Sequence, residues 1–270
     1  MHWSGEGRFT GEPKGRLRHL KAGMRPENPV LAREDACTVE LLKSGSEKRQ
    51  AYRLRHRLFA EALRWVPESP SGLEIDEYDN WTDMIAVMDA RRRVLGQVRV
   101  HEAMVPYMIE HEFAVLLSQL PPKSRNTAEL TRFGVAPEAR AQVIQTPWGD
   151  FDLFTLLLKG VYRWSLRQEI HTLYAVVDQR VFRLLKMRGF PFEPMGEPRI
   201  MPDGVIAVAV RMDWRRFEAQ NRERKPALLS WFASAPAAFS PVPVPSRQFN
   251  QAHFQGHGHG LRPVHRIQLP

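Results

Sequence analysis

The chain has 270 residues, of which 43% are hydrophobic, with a net charge of +9 and one cysteine, Cys37. A single cysteine excludes an internal disulfide framework and a cysteine-based zinc site, and it is typical of a protein in the reducing cytoplasm. No apolar run approaches the roughly 20 residues that a membrane-spanning helix needs, so no association with a membrane is expected.

The positive charge is concentrated at the two ends of the chain. Residues 1–35 hold seven Lys and Arg against five Asp and Glu, and residues 215–270 hold eight against two. Their Gly-, Pro- and His-containing composition predicts disordered extensions around a folded domain at 36–214. Because the charge does not lie on the folded part, no nucleic-acid partner is expected. The tail histidines are interpreted as part of a flexible tail and not as a metal site.

The first predicted element is an amphipathic helix at 47–65. One face of this helix is apolar, and Arg55 and Phe59 lie beside that face, one helical turn apart. The apolar face consists of Ala51, Leu54, Leu58, Ala62 and Trp65.

An acidic block with the sequence E-I-D-E-Y-D follows at 74–79. Neighbouring prolines and a glycine favour a solvated surface turn. The alternative is a packed cluster, in which Glu74 and Asp76 share a face and Asp79 joins them only if the chain turns. Packed carboxylates repel one another, so this alternative needs cations from arginines elsewhere or from a bound ligand. Glu77 is expected at the surface.

The rest of the pattern consists of strands and helices. In the strand at 127–135, Glu129 and Arg132 fall on opposite faces unless a bulge turns both inward. The order of the elements predicts a mixed α/β sandwich. The elements are strands at 84–90 and 94–100, a helix at about 108–120, the strand at 127–135, a helix at about 149–168, a strand at 172–177, a helix at 179–188 closed by Gly189, and a strand at 204–212.

The folded part lacks the motifs of nicotinamide, P-loop, zinc-protease and serine-hydrolase sites. Its polar residues form a different ordered pattern: Arg55, Phe59 and Trp65; Glu74, Asp76 and Asp79; Arg99 after Gly96; P-Y-M-I at 106–109 with Phe113; and E-L-T-R-F at 129–133. This pattern closely resembles that of the acyl-homoserine-lactone synthases, the autoinducer synthases of bacterial quorum sensing.

The resemblance implies a fold and a reaction. The fold is a three-layer sandwich similar to that of the GCN5-related N-acetyltransferases, with a splayed mixed sheet that admits an acyl thioester. The reaction joins an acyl group from acyl-carrier protein or acyl-coenzyme A to the amine of S-adenosylmethionine, after which lactone closure expels methylthioadenosine. No cofactor is implied, because S-adenosylmethionine is a substrate.

The resemblance also suggests roles for individual residues. Glu129 is the candidate general base, with Arg132 beside it, and the alternative for Glu129 is a structural ion pair with Arg99 or Arg132. The residues expected to bind S-adenosylmethionine within a charge cluster are Arg55, Phe59, Trp65, Glu74, Asp76, Asp79 and Arg99. Those expected to contact the acyl and pantetheine groups are Phe113, Phe133, Val135 and Val177.

An acidic carrier protein would be guided by a basic face. Two helices offer one, and each set is equally well explained as a solvated helix surface. The sets are Arg180, Arg183, Lys186 and Arg188, and Lys159, Arg163 and Arg167.

Val177 bears on the choice of acyl chain. The resemblance places it where synthases that favour 3-oxo chains often carry threonine, and valine has no hydroxyl to donate to a 3-oxo group. A product without a 3-oxo group is therefore expected.

Two other functions remain open. A generic N-acyltransferase with another amine acceptor would not need Asp76, Asp79 and Trp65, and it would release no methylthioadenosine. A basic-tailed nucleic-acid or scaffold protein with an inactive core would bind through its tails in a salt-dependent way. The presence of every polar residue of the pattern argues against an inactive core.

Overall fold

The structure is a computed structural model, and it describes residues 28–234. These residues form a nine-stranded mixed sheet and a separate two-stranded hairpin. The strands are β1 Val30–Glu34, β2 Cys37–Leu41, β3 Asp83–Met88, β4 Val94–Glu102, β5 Thr127–Val135, β6 Val143–Thr146, β7 Gly149–Asp152, β8 Thr172–Asp178, β9 Glu193–Pro194, β10 Arg199–Ile200 and β11 Ile206–Asp213. The helices are α1 Gly45–Arg55, α2 Leu153–Arg167, α3 Gln179–Met187, α4 Trp214–Arg224 and α5 Pro226–Ala233.

The strand order in the large sheet is β1-β2-β3-β4-β5-β8-β11-β10, with β9 also paired to β11. Among these strands of residues 28–234, only the central pair, β5 and β8, is parallel, and its pairing runs from Thr127 opposite Thr172 to Leu130 opposite Ala175. Beyond that point both strands continue without pairing to each other. The residues along this stretch, 131–134 and 176–178, are only half-buried. The sheet therefore splays open between β5 and β8, as predicted.

Helices cover both faces of the sheet. Arg99 and Val98 are adjacent in β4, so their side chains point to opposite faces. α1 covers the face that carries Arg99, while α2 covers the face that carries Val98 and its register partner Ile85. α2 lies so close that a Cβ atom at Gly160 would clash with Val39 of β2. These are the three layers of the predicted sandwich.

A bulge interrupts the pairing of β4 with β5. Gln97 lies opposite Gly134 and Arg99 lies opposite Thr131, so β5 has one extra residue between these pairs. Arg132 occupies the left-handed region with a φ of 55°, which is uncommon for a residue other than glycine. The bulge turns Arg132 to the face that carries Arg99 and Glu129, so the predicted change of face takes place, at Arg132 itself.

Three helix predictions are corrected by the structure. The first helix changes at His56 into a π-helix that ends at Ala62. The predicted helix at 108–120 is replaced by two short 3-10 turns, Met108–Glu110 and Ala114–Leu116. The predicted helix at 149–168 begins only at Leu153, since residues 149–152 form β7 against β6.

Both predicted domain boundaries are wrong. β1 lies before residue 36 and pairs with β2. α4 and α5 lie almost entirely beyond residue 214, and Trp231 and Phe232 of α5 are fully buried. The basic composition of this segment hid an apolar face that packs on α2. The remaining parts of the predicted extensions, residues 1–27 and 235–270 with the tail histidines, lie outside the described residues. Within 28–234 no helix has the length and hydrophobicity to cross a membrane.

Candidate active site

The acidic block folds into a capped turn. The Asp76 side chain accepts a hydrogen bond from the Tyr78 backbone N–H at 3.0 Å, and the Asp79 carboxylate accepts one from the Asp76 N–H at 2.9 Å. This capping box starts a 3-10 turn at Glu77–Asn80. The turn brings Asp79 to the same side as Glu74 and Asp76 and leaves Glu77 exposed. The packed interpretation of this block is therefore the correct one.

Arg55 holds two of these carboxylates. Its side chain is fully buried, and Nη1 and Nη2 donate to the two oxygens of Asp79 at 2.6 and 3.0 Å. Its Nε donates to Glu74. Such fork-like pairing is geometrically specific, so Arg55 fixes the orientation of the turn against α1.

Arg99 and Arg132 complete the cluster. Nη1 of Arg99 pairs with Asp76 and lies 3.2 Å from Oδ1 of Asp79. Nη2 of Arg132 lies 2.9 Å from Glu74 and 3.0 Å from Asp76. Three guanidinium groups thus face three carboxylates, and the cluster is formally neutral.

The arginines determine the protonation of the acidic block. Burial alone would raise the pKa values of Glu74 and Asp76. The hydrogen bonds and charges of Arg55 and Arg132 together outweigh burial at Glu74, and Arg99 with the charges of Arg132 and Arg55 does so at Asp76, so both pKa values are lowered. Both groups are therefore ionised at neutral pH. Removing one partner would leave a charge without compensation in a partly buried site.

One side of the cluster is open. The side chains of Asp76 and Arg132 are 23% and 14% exposed, whereas those of Arg55 and Arg99 are fully buried. The guanidinium carbon of Arg132 lies 5.8 Å from the ring centroid of Phe59. Trp65, which is 41% exposed, stacks on Phe59 at 6.0 Å. A carboxylate, a guanidinium group and two aromatic rings thus meet at one opening, which suits a ligand with charges of both signs.

Glu129 lies beside the cluster in β5 and is 1% exposed. Its Oε2 accepts the Met108 N–H at 2.6 Å and its Oε1 accepts the Ile109 N–H at 2.8 Å. Burial raises the pKa of Glu129 to about 8, although these two N–H groups and Arg99 oppose the increase. The alternative considered for Glu129, an ion pair with Arg99 or Arg132, is absent, because both arginines direct their ion pairs to the acidic block.

The predicted acyl-contacting residues fall into two groups. Phe133 packs against Phe154 at 4.7 Å, and Val135 and Val177 belong to the same main core at the splayed end of β5 and β8. Phe113 lies in a separate small cluster on the other face of the sheet, together with Val176. The structure therefore does not bring Phe113 together with the other three residues.

The predicted basic face on α2 is not fully exposed for docking a partner. Lys159 is fully buried and pairs with Glu34 of β1. In the other set, Nη2 of Arg188 lies 2.6 Å from Asp152, the N-cap of α2.

The sequence did not single out several buried polar residues on the site face. His101 and Gln97 are buried on this face of β4, Thr131 of β5 is half-buried beside them, and the Tyr78 hydroxyl donates to Glu112 at 2.7 Å. Gln97, Arg99 and His101 alternate along β4, so the period of two was the available signal. No group of His, Cys, Asp and Glu within 28–234 is arranged to hold a metal ion.

A splayed mixed sheet with a charged site at its opening is the arrangement predicted above for an α/β acyltransferase. The sequence profile of the family described as "Autoinducer synthase" matches residues 40–222. This chain belongs to that family, and both the predicted family and the predicted fold class are confirmed.

Relatives among known proteins carry the name acyl-homoserine-lactone synthase. The one from Agrobacterium fabrum is 32% identical over 168 residues, which cover 61% of this chain and 77% of the relative. The one from Aeromonas hydrophila is 28% identical over 158 residues, covering 58% and 75%. The structure of the coenzyme-A-dependent synthase BjaI with S-adenosylmethionine and isopentyl-coenzyme A has a TM-score of 0.56 at 24% identity, and the match covers 66% of this chain and 81% of BjaI. That likeness shows a shared fold.

Proposed function

We propose that this protein is an acyl-homoserine-lactone synthase that transfers an acyl group from a thioester donor to the α-amine of S-adenosylmethionine. An amide bond forms as the thioester bond breaks and the thiol leaves. The substrate carboxylate then attacks its own γ-carbon, and the electron pair of the breaking C–S bond goes to the sulfonium sulfur. Methylthioadenosine and the lactone are the products. The observation that carries the proposal is the neutral charge cluster beside Glu129 at the opening of the sheet.

The open side of the cluster is the proposed site for S-adenosylmethionine. This substrate carries a sulfonium, an ammonium and a carboxylate, so it needs partners of both signs. Asp76 suits a cationic group and Arg132 suits the carboxylate, while Trp65 and Phe59 offer aromatic faces to the sulfonium or the adenine. Arg55, Glu74 and Asp79 hold these groups in place from beneath.

Glu129 is the proposed general base. An α-amine with a reference pKa of about 7.7 to 8.0 is mostly protonated at neutral pH and must lose a proton before it attacks a carbonyl. A carboxylate with a pKa near that of the amine is well matched to accept this proton, directly or through a water molecule. Each carboxylate oxygen of Glu129 accepts one backbone N–H and keeps a second lone pair for this purpose.

The thioester is proposed to enter through the gap between β5 and β8. The face beyond this gap is apolar, with Phe133 and Val177, whereas the near face carries the charge cluster. The donor would thus reach the amine from the opposite side of the sheet. Backbone N–H groups at residues 133–135 are candidates to stabilise the oxyanion of the tetrahedral intermediate.

The donor is either an acyl-carrier protein or acyl-coenzyme A, both of which present a thioester on a pantetheine arm. The α3 residues Arg180, Arg183 and Lys186 are candidates for docking an acidic carrier. We further propose a cytoplasmic location, which the single cysteine supports.

The decisive experiment is incubation of the full chain with S-adenosylmethionine and, in separate reactions, acyl-carrier-protein and coenzyme-A thioesters. Mass spectrometry should detect an acyl-homoserine lactone and methylthioadenosine in equal amounts. An acylated amine formed from another acceptor, without methylthioadenosine, would instead identify a generic N-acyltransferase.

A further inference from the structure

His101 is a buried histidine beside the proposed base. It follows Arg99 by two residues on the same face of β4, is fully buried, and is the register partner of Glu129 in β5. Its Nε2 lies 2.9 Å from Oγ1 of Thr131, and its Nδ1 lies 3.3 Å from the carbonyl oxygen of Pro106. The same Nδ1 lies 3.9 Å from Oε2 of Glu129.

These partners determine which ring nitrogen carries the proton. The Pro106 carbonyl can only accept, so Nδ1 of His101 must be the donor. Burial, followed by the charge of Arg99, lowers the pKa of His101 to about 3, so the ring is neutral and has no second proton. Nε2 therefore accepts the Thr131 hydroxyl proton. The Thr131 oxygen in turn accepts from Nε of Arg99 at 2.9 Å.

The Nδ1 bond fixes the segment that holds Glu129. Pro106 precedes Met108 and Ile109 by two and three residues, and the N–H groups of these two residues are the hydrogen-bond donors to the Glu129 carboxylate. The donors stabilise the ionised form and limit the rise in pKa that burial causes. A segment that is no longer held at Pro106 would present the same donors less accurately.

We propose that His101 is a positioning residue for Glu129, acting through its Nδ1–H bond to Pro106 to hold the backbone donors of residues 108 and 109 against the carboxylate. This inference rests on the proposed function, in which Glu129 is the general base.

Several other titratable or charged groups also face Glu129. Arg99 on β4 lowers the pKa of Glu129, and Glu110, next to the donor segment, raises it. Tyr107 and Tyr78 also interact with this carboxylate electrostatically. Tyr174 is its register partner on β8. Replacing neutral His101 by a neutral side chain changes none of these charges.

The two functions of the ring can be separated by substitution. In His101→Asn the amide nitrogen can take the place of Nδ1 and keep the bond to Pro106. In His101→Gln the longer amide reaches the Nε2 position and can keep the bond to Thr131 but not the one to Pro106. His101→Leu removes both bonds.

The measurement is the pH dependence of kcat/KM. A hydrogen bond to a carboxylate favours its ionised form, so partial loss of the donors should raise the pKa of Glu129 by about one unit. In His101→Gln and His101→Leu the acid limb of the pH profile of kcat/KM should move up by about one pH unit. The value of kcat/KM at pH 7 should then be roughly tenfold lower. In His101→Asn the limb should stay at the wild-type position. The ionisation of S-adenosylmethionine is common to all variants and cancels in the comparison.

If the acid limb of folded His101→Gln stays at the wild-type position, the inference is overturned. It is also overturned if the limb of His101→Asn shifts as far as that of His101→Gln. Circular dichroism identifies any variant that fails to fold, and the Asn and Gln pair remains informative without Leu. Glu129→Gln, measured in parallel, separates this inference from the proposed function. Near-native activity of Glu129→Gln refutes the proposed base, whereas loss of its activity with an unmoved limb in His101→Gln refutes only the positioning role.

Discussion

Glu129 is the residue on which the proposed chemistry depends most directly. Glu129→Gln keeps the size of the side chain and removes its basicity, so turnover should fall by about 10² to 10⁴. The wild-type rate should increase as the pH rises through about 8, because only the deprotonated carboxylate accepts a proton. Steady-state kinetics with a folded, soluble variant checks both statements. A rate close to that of the wild type at neutral pH would contradict the role of general base.

Asp76 and Arg99 test whether the charge cluster binds S-adenosylmethionine. Asp76→Asn and Arg99→Ala each leave a partner charge uncompensated, and each should weaken binding by at least about tenfold. Glu77→Gln is the matched control, since this carboxylate lies in the same turn and is exposed. Calorimetric titration measures the affinities. Unchanged affinity in both cluster variants would make the cluster structural scaffolding and not a ligand site.

Val177 is predicted to influence the choice of acyl chain. A 3-oxo group buried against valine would lack a hydrogen-bond donor, at a cost of about 1 to 3 kcal/mol, or roughly 5- to 150-fold in preference. We expect the enzyme to prefer the unsubstituted donor when it competes with its 3-oxo analogue. Val177→Thr should narrow that preference. Val176→Thr, on the opposite face of β8, should not. A wild-type preference for the 3-oxo donor would mean that another residue supplies the bond.

At the scale of elements, α5 contributes to the hydrophobic core in a way that the basic composition of its segment does not indicate. Trp231 stacks on Phe151 of β7 at 4.0 Å, and Phe232 packs against Phe217 of α4 at 5.2 Å. α5 lies outside the region that the family profile matches, yet both of its aromatic side chains are fully buried. The helix therefore completes the core of the synthase domain.

Truncation distinguishes the contribution of α5 from that of residues 235–270. Removing residues 226–270 deletes two buried aromatic side chains, each worth about 3 to 5 kcal/mol, so the melting temperature should fall by at least about 10 °C. Removing only residues 235–270 keeps every contact among residues 28–234 and should leave the melting temperature nearly unchanged. Thermal unfolding followed by circular dichroism compares the two. Equal stability of both truncated chains would show that α5 contributes little to the core.

At the scale of the whole molecule, Lys159 joins three distant parts of the chain. Its ammonium pairs with Glu34 of β1, donates to the Ser234 hydroxyl at 2.9 Å and lies 4.7 Å from the ring centroid of Trp231. β1, α2 and α5 therefore meet at one buried charge.

A double-mutant cycle tests this connection. Lys159→Met leaves the Glu34 carboxylate unpaired and should cost about 3 to 5 kcal/mol, whereas Lys159→Met combined with Glu34→Leu should recover most of the loss. Lys43→Met is the control, because it breaks the exposed pair with Asp83 and should cost less than about 1 kcal/mol. Denaturant titration gives the free energies of unfolding. A double variant no more stable than Lys159→Met alone would contradict the proposed coupling.

The sequence by itself determined the features that depend on local periodicity and on residue type. Alternation located β3, β4, β5, β8 and β11, since a strand repeats every two residues whatever it pairs with. The helix α3 and its end at Gly189, which has a φ of 94°, followed equally from local signals. The ordered motif residues identified the family, and their charged members meet at one site, whereas Gln97 and His101 on the same face were missed and Phe113 lies elsewhere.

Only the tertiary structure decided how these residues face one another. Glu129 accepts the N–H groups of Met108 and Ile109 only because the fold brings its carboxylate, twenty residues away along the chain, to the start of this segment. The sequence pattern places Lys159 on a solvated helix face, but in the fold Glu34, 125 residues away, pairs with it. α5 belongs to the core only because Phe151 and Phe217 lie where its rings can pack. In each case the free energy comes from a partner far along the chain, which no local pattern can specify.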